Sequence, residues 1–294
     1  VSTIGICVKN NFERRIGIWP AGFDADDILY CYTAYGDYPT YLPHEKRHPL
    51  ESFTGWMLLN YNKPVQVSST LGGYHSNYAV DEDIKTYWSA KTGNKGEWIS
   101  TDLGDVSTIN AIQINYADQD ADIMGKPDST KGHQYIIYTS NDNKNWKVLV
   151  DKSQSKADVP HDYIELTKPA RARYVKLENL GMPTGKFAIS GLRIFGKGSG
   201  DKPGEVKNFV PLRTERKKKG ERRNAWLKWQ QEPSADGYVI YFGKSPDKMY
   251  GSIMVYGKNE YYFNGMDRSD RYYFQIEAFN ANGIGPRSEV KIAD

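Results

Sequence analysis

Residues 77–116 read NYAVDEDIKTYWSAKTGNKGEWISTDLGDVSTINAIQINY and end in an alternation of Ile112, Ile114 and Tyr116 with polar neighbours. Period-2 alternation places those apolar side chains on one face of a strand and leaves the other face wet. The stretch opens on an acidic, turn-prone loop with Asp81, Glu82 and Asp83, followed by Thr86 and Trp88. Carboxylates, hydroxyls and carbonyls gathered in so short a loop can cage a hard cation such as calcium. The same loop can instead close on its own side-chain hydrogen bonds, as Asp does in turns. Either way, an acidic loop mounted on a half-buried strand commits this stretch to β structure.

The strand signal recurs on both sides. Residues 133–140 (HQYIIYTS), a polar turn NDNKN and residues 146–150 form a strand, turn and returning strand. Residues 163–166 and 173–177 alternate as half-buried strands do, and ISGLRIFG at 189–196 closes the series. Short strands over residues 60–197, with no helical periodicity, predict a β-sandwich of jelly-roll type. After a flexible joint at 198–203 (GSGDKP), strand patterns at 225–229, 237–242 and 272–278 predict a second, immunoglobulin-like sandwich over residues 204–294. Residues 1–59 carry three short β runs, too few to close a core alone. They should pack on a neighbour or end a larger domain. The expected class is all-β throughout.

Composition agrees, with 22 Tyr, 10 Phe and 7 Trp to fill strands and 27 Gly and 14 Pro to separate them. The 39 Lys and Arg nearly balance 36 Asp and Glu, so no nucleic-acid partner is expected. No apolar stretch approaches the roughly 20 residues of a spanning helix, so no membrane insertion is expected. Seven basic residues fall among the eleven from Arg213 to Arg223. That run reads as a solvated hairpin loop or as a patch for an anionic surface. Cys7 and Cys31 allow one bridge or two thiols. His44 and His48 are spaced as metal ligands on a helix would be, but Pro43 and Pro49 flank them, and they read as loop histidines. Val1 stands where neither an initiator Met nor a leader pattern is found, which suggests a processed or excised chain. No elbow, zinc or P-loop motif points to an independent enzyme.

Asn77-x-Ala79-x-Asp81 with Thr86-x-Trp88, then Trp98-Ile99-x-x-Asp102-Leu103-Gly104 and the final ISGLRIFG, resemble the discoidin (coagulation factor V/VIII type C) family. That family overlaps carbohydrate-binding module family 32. The resemblance implies a calcium site held by the Asp81 carboxylate, Thr86 and carbonyls around Tyr78, Asp83 and Ser89. Glu82 stands where the family has Gly, and Gly191 where many members have a Glu that reaches the cation. It also implies sugar contacts in end loops, from Tyr74 and His75, from the loop at 118–131, or from Met182, Lys186 and Phe187. Flat aromatic faces with a few polar groups suit such contacts. Trp88 is expected to pack beside the acidic loop, and Trp98 and Trp146 to lie in the core.

FERRIGIWPAGFDADDILYCYTAYGDYPTYLP and TGWMLLNYNKP resemble the end of the five-bladed propeller of glycoside hydrolase family 43. The resemblance implies an inverting parent enzyme acting on arabinose- or xylose-type linkages, with two carboxyls about 6.5–9.5 Å apart. None of those carboxylates maps onto this chain. Arg14 or Arg15 would correspond to a substrate-facing arginine; read on their own they are surface or ion-pairing residues. Residues 204–294 resemble a fibronectin type III domain, with Trp229 between sheets and the Tyr272 hydroxyl bonding back to upstream backbone. Together these imply the ancillary, carbohydrate-binding region of an exported bacterial glycosidase, monomeric and inactive alone. The alternative is a surface adhesion or glycan-recognition protein without catalysis.

Overall fold

A computed structural model of the chain describes residues 2–6, 14–36, 38–41, 51–122, 130–214 and 221–293. The fold is all-β, its helical turns among the described residues being the short Ser76–Ala79 and Glu221–Arg223. No described helix is long and apolar enough to cross a membrane. Strands β1 (Ser2–Ile6) and β2 (Arg14–Ile18) pair with each other, as do β3 (Ala21–Phe23) and β4 (Leu29–Cys31). The chain gathers into two compact units, one holding residues 57–199 with 4–6 and 14–15, the other residues 16–56 and 200–294 with 2–3.

The first unit contains β5 (Met57–Leu58), β6 (Val65–Val67), β7 (Trp88–Ser89) and β8 (Trp98–Tyr116). It continues with β9 (Gln134–Ser140), β10 (Lys147–Asp151), β11 (His161–Gly181) and β12 (Ala188–Lys197). Their order is β10-β9-β11-β8-β12-β5, with β6 on β8 and β7 on β12. The two long strands make this ladder a jelly-roll sandwich. The β11 register against β8 slips between Glu165 and Ala170 and again between Ala172 and Tyr174. Bulges bend a strand and raise its twist. The start of β8 therefore pairs with β6, and its end with β12.

Ile109, Ile112 and Ile114 of β8 and Ile194 of β12 are fully buried between the layers. Each such side chain is worth about 1.5–3 kcal/mol of burial. Trp88 is also fully buried, its Nε1 donating to the Ser69 carbonyl at 3.2 Å. Trp98 and Trp146 are only half-buried and do not belong to the core. The Lys176 ammonium covers the Trp146 ring at 4.7 Å and the Tyr138 ring at 4.8 Å, which accounts for an aromatic side chain left at the surface.

The second unit contains β13 (Val210–Arg213), β14 (Asn224–Lys228), β15 (Gly237–Gly243) and β16 (Gly251–Tyr256). After them come β17 (Glu260–Asn264), β18 (Tyr272–Asn280), β19 (Gly283–Ile284) and β20 (Lys291–Ala293). One layer is β13-β14-β17; the other is β16-β15-β18-β19, with β20 on β18. Trp229 is buried against Tyr238 and Phe209, ring centroids 5.1 and 6.4 Å away. The Asp267 N–H donates to the Tyr272 hydroxyl at 3.0 Å.

Residues 16–56 pack on this sandwich. Tyr35 stacks on Phe53 at 4.4 Å and meets Phe279 edge-on at 5.9 Å. The Tyr35 hydroxyl donates to buried Glu277 at 2.6 Å, beside Tyr241 at 2.7 Å, and Arg287 donates to the other carboxylate oxygen at 3.1 Å. Burial raises the Tyr35 and Tyr241 hydroxyls far above their ordinary range, with the Glu277 charge adding to it. Both hydroxyls stay protonated and keep donating.

Candidate functional site

Three loops meet at one end of the jelly roll. They are the Gly72-Gly73 lead-in before Tyr74, residues 117–122 after β8, and residues 182–187 before β12. Backbone bonds tie residues 182–187 to the loop after β8, Lys186 N–H to the Gln119 carbonyl at 2.9 Å. They also tie them to residues 90–92, Phe187 N–H to the Thr92 carbonyl at 3.1 Å and Ala90 N–H to the Phe187 carbonyl at 2.9 Å. The lead-in is tied to the end of β7 by Leu71 N–H to the Ser89 carbonyl at 2.8 Å. The Thr184 hydroxyl accepts the Asp122 N–H at 3.0 Å. Gly185 makes the approach feasible: its φ is +72°, and an added Cβ would lie 2.6 Å from the Gln119 carbonyl oxygen.

On this scaffold the side chains form a chain of hydrogen bonds. The Tyr87 hydroxyl donates to Gln119 Oε1 at 2.6 Å, and Gln119 Nε2 donates to Asp120 Oδ1 at 2.7 Å. The other Asp120 oxygen pairs with the Lys186 ammonium. Tyr74 lies against Tyr87, ring centroids 4.6 Å apart at 40°. Burial, and then Tyr74, push the Tyr87 hydroxyl above its usual range. The result is an end-loop surface with a half-buried aromatic ring, an ammonium, a carboxylate and an amide within one network. Such a group can hold a ring of hydroxyls by direction as well as by contact.

Tyr74 and Lys186 are thus brought together. His75, next to Tyr74, is exposed and meets Tyr78 edge-on at 5.3 Å. Met182 is half-buried in the Lys186 segment. Phe187 is a correction: it is fully buried between Trp88 and Tyr116, at 5.5 and 6.4 Å, and offers no face to a ligand. Phe187 immediately precedes β12, a strand buried along nearly its whole length, and its ring continues that packing into the sandwich. Gln119, Asp120 and Tyr87 complete the group. The loop around Asp118 signals the first two only as a range, and Tyr87 carries no sequence signal beyond adjacency to Trp88. Arg14 and Arg15 open β2; their side chains lie outside the described residues, as do Cys7, His44 and His48.

The acidic loop beside β7 closes on itself. Asp81 Oδ1 accepts the Asp83 N–H at 3.0 Å, and Oδ2 accepts the Thr86 hydroxyl at 2.7 Å. The Asp83 carbonyl takes the Thr86 N–H at 3.1 Å, and the Ser89 carbonyl takes the Leu71 N–H at 2.8 Å. Glu82 holds the left-handed turn itself, with φ +57°. Its carboxylate receives a fork from Arg193, both contacts at 3.0 Å, and Arg193 also donates to Gln113 Oε1 at 3.0 Å. Both side chains are largely buried, at 4% exposure for Arg193 and 14% for Glu82. A calcium cage needs six to eight oxygens and several negative charges. Here Asp81 and exposed Asp83 supply the uncommitted charge, no cluster of three His, Cys, Asp or Glu occurs among the described residues, and a guanidinium already neutralises Glu82. The donor set fits calcium poorly.

The F5/8 type C domain family matches residues 64–192. Among solved structures, chitosan-binding module 1 of a Paenibacillus sp. IK-5 chitosanase/glucanase is 23% identical, covering 48% of this chain and 99% of that one, TM-score 0.39. A pectin-binding carbohydrate-binding module is 25% identical, covering 46% and 91%, TM-score 0.37. The family 32 module of Clostridium perfringens NanJ, in complex with galactose, is 17% identical over 46% and 93%, TM-score 0.37. No curated protein matches the chain. The match, the jelly-roll ladder and the acidic loop before β7 coincide on one stretch: residues 64–192 form an F5/8 type C domain.

Proposed function

We propose that the F5/8 type C domain is a carbohydrate-binding module that takes a polysaccharide or oligosaccharide at the Tyr74–Lys186 end loops. The observation that carries the reading is the linked Tyr87–Gln119–Asp120–Lys186 network beneath the Tyr74 ring, set in a domain of this family. In the wider reading the chain is the ancillary region of an exported bacterial polysaccharide-degrading enzyme of arabinofuranosidase or xylosidase type. Residues 1–59 then end its propeller, and residues 204–294 act as a fibronectin-like spacer. Binding would raise the local concentration of substrate around the catalytic part.

Affinity electrophoresis of the 294-residue chain in gels containing the neutral polymers arabinan or xylan tests the first claim. The chain should be retarded by at least one of them, and Tyr74→Ala or Lys186→Ala should weaken that retardation about tenfold. Retardation that both variants retain in full would refute the site. The chain alone should not hydrolyse aryl arabinosides or xylosides; turnover abolished by a substitution within it would refute the ancillary reading.

For the acidic loop we propose the ion-free state, supported by the internal bonds of Asp81 and the Glu82–Arg193 pair. Calcium added to chelator-treated protein should leave Tm unchanged. A calcium-dependent rise in Tm that Asp81→Ala removes would establish the cation instead.

A further inference from the structure

The outer face of the β13-β14-β17 layer carries an unusual row. Register places Leu212 opposite Trp226 and Trp226 opposite Tyr262, one residue from each strand. The inward neighbours Ala225 and Leu227 are fully buried, so the alternation of β14 leaves Trp226 outside. All three side chains of the row are exposed: Leu212 by 51%, Trp226 by 39% and Tyr262 by 37%. The row crosses three strands, about 10 Å. Trp226 and Tyr262 are in contact, ring centroids 4.7 Å apart at 47°.

The borders of the row are polar and partly fixed. Asn224 Nδ2 donates to the Tyr262 hydroxyl at 3.0 Å, and the Lys228 ammonium lies 5.4 Å from the centre of a Trp226 ring. Lys228 also pairs with Glu260 at 3.4 Å, across the next rung of the ladder. Arg222 and Arg223, which run directly into β14, are exposed. They end the stretch in which seven of eleven residues are basic, in a chain whose net charge is only +3. An aromatic plate edged by amide and ammonium groups, with basic residues at its end, complements a polymer that has flat apolar ring faces, hydroxyls and negative charge.

We propose that this face binds an anionic polysaccharide, one bearing uronate groups. The sugar faces lie on Trp226 and Tyr262, Asn224 and Lys228 take hydroxyls, and the carboxylates lie toward Arg222 and Arg223. A lipid surface would want protruding apolar side chains without directional amides, and a protein partner would not need the basic end. This site lies on the other sandwich and is independent of the end-loop site around Tyr74.

The probe is polygalacturonate, with neutral arabinan alongside, in affinity electrophoresis of the full chain. Trp226→Ala and Tyr262→Ala change exposed side chains and should leave Tm close to that of the parent. Each should reduce retardation by polygalacturonate about tenfold. Arg222→Gln with Arg223→Gln should weaken it further at low salt and much less at high salt. Tyr74→Ala should leave this retardation unchanged, so the two sites fail or stand separately. The proposal is overturned if polygalacturonate does not retard the chain, or retards the Trp226→Ala variant equally. It is also overturned if Trp226→Ala abolishes only self-association in sedimentation, or only binding to phosphatidylserine vesicles.

Discussion

The Glu82–Arg193 pair shows how much one residue can hold. Glu82 occupies a left-handed turn where Gly would be more comfortable, a cost of order 1 kcal/mol. Removing its carboxylate strands a buried guanidinium, which costs about 3 kcal/mol or more. The second term wins. Glu82→Gly should therefore destabilise the protein by about 2 kcal/mol in urea unfolding, although it suits the backbone; a neutral or stabilising result would show the pair to be ornamental. His133 sets a pH limit. It is buried, its Nδ1 accepts the Val159 N–H at 3.1 Å, and burial pushes its pKa down to about 4, against opposing pulls from Asp158 and Asp162. The unfolded chain binds this proton near pH 6.5 and the folded protein only near 4. The stability due to a neutral His133 is complete above about pH 6.5 and falls as the pH drops toward 4, by roughly 3 kcal/mol in all. Urea unfolding at about pH 7.5 and about pH 4.5 should show a steeper loss in the parent than in His133→Gln. Parallel losses would remove His133 from the account.

At the scale of elements, two long strands and a set of crossing loops do most of the organising. The alternation of Ile112, Ile114 and Tyr116 was legible in the sequence and appears as β8, with all three side chains buried. Its length was not legible, because the bulges that carry β8 and β11 from one layer to the other depend on which strands they meet. The end loops show the same division. Tyr74 and Lys186 were named from loop position, whereas their joining through Gln119 and Asp120 needs loops distant in sequence to touch. Gly93 tests that contact: a Cβ there would lie 2.2 Å from the Gly185 carbonyl oxygen. Gly93→Ala should part the loops, lower Tm and weaken glycan retardation beyond what Tyr74→Ala alone causes. Retained affinity with a lowered Tm would mean the loops are not coupled to binding.

For the whole molecule, the early segment is the instructive part. Three short β runs announced that residues 1–59 could not close a core, and tyrosines at 35 and 38 gave no address. The structure seats residues 16–56 on the C-terminal sandwich through Glu277, a carboxylate that accepts from Tyr35 and Tyr241 and pairs with Arg287. Glu277→Ala should leave those donors unpaired, destabilise that unit by about 3 kcal/mol, and speed proteolysis within residues 16–56 while sparing the jelly roll. Equal resistance of both units would argue against the network. By itself the sequence determined the all-β class, the jelly-roll domain and its acidic loop, since these rest on local periodicity and turn chemistry, which each short segment carries alone. Only the tertiary structure decided that Glu82 answers to Arg193, that Phe187 is core, that Trp226 and Tyr262 share an open face, and that residues 16–56 belong with the C-terminal sandwich. Each of those depends on strand register and on which distant carboxylate or ring arrives beside a given side chain, and pairings of that kind are set by the closing of the whole chain.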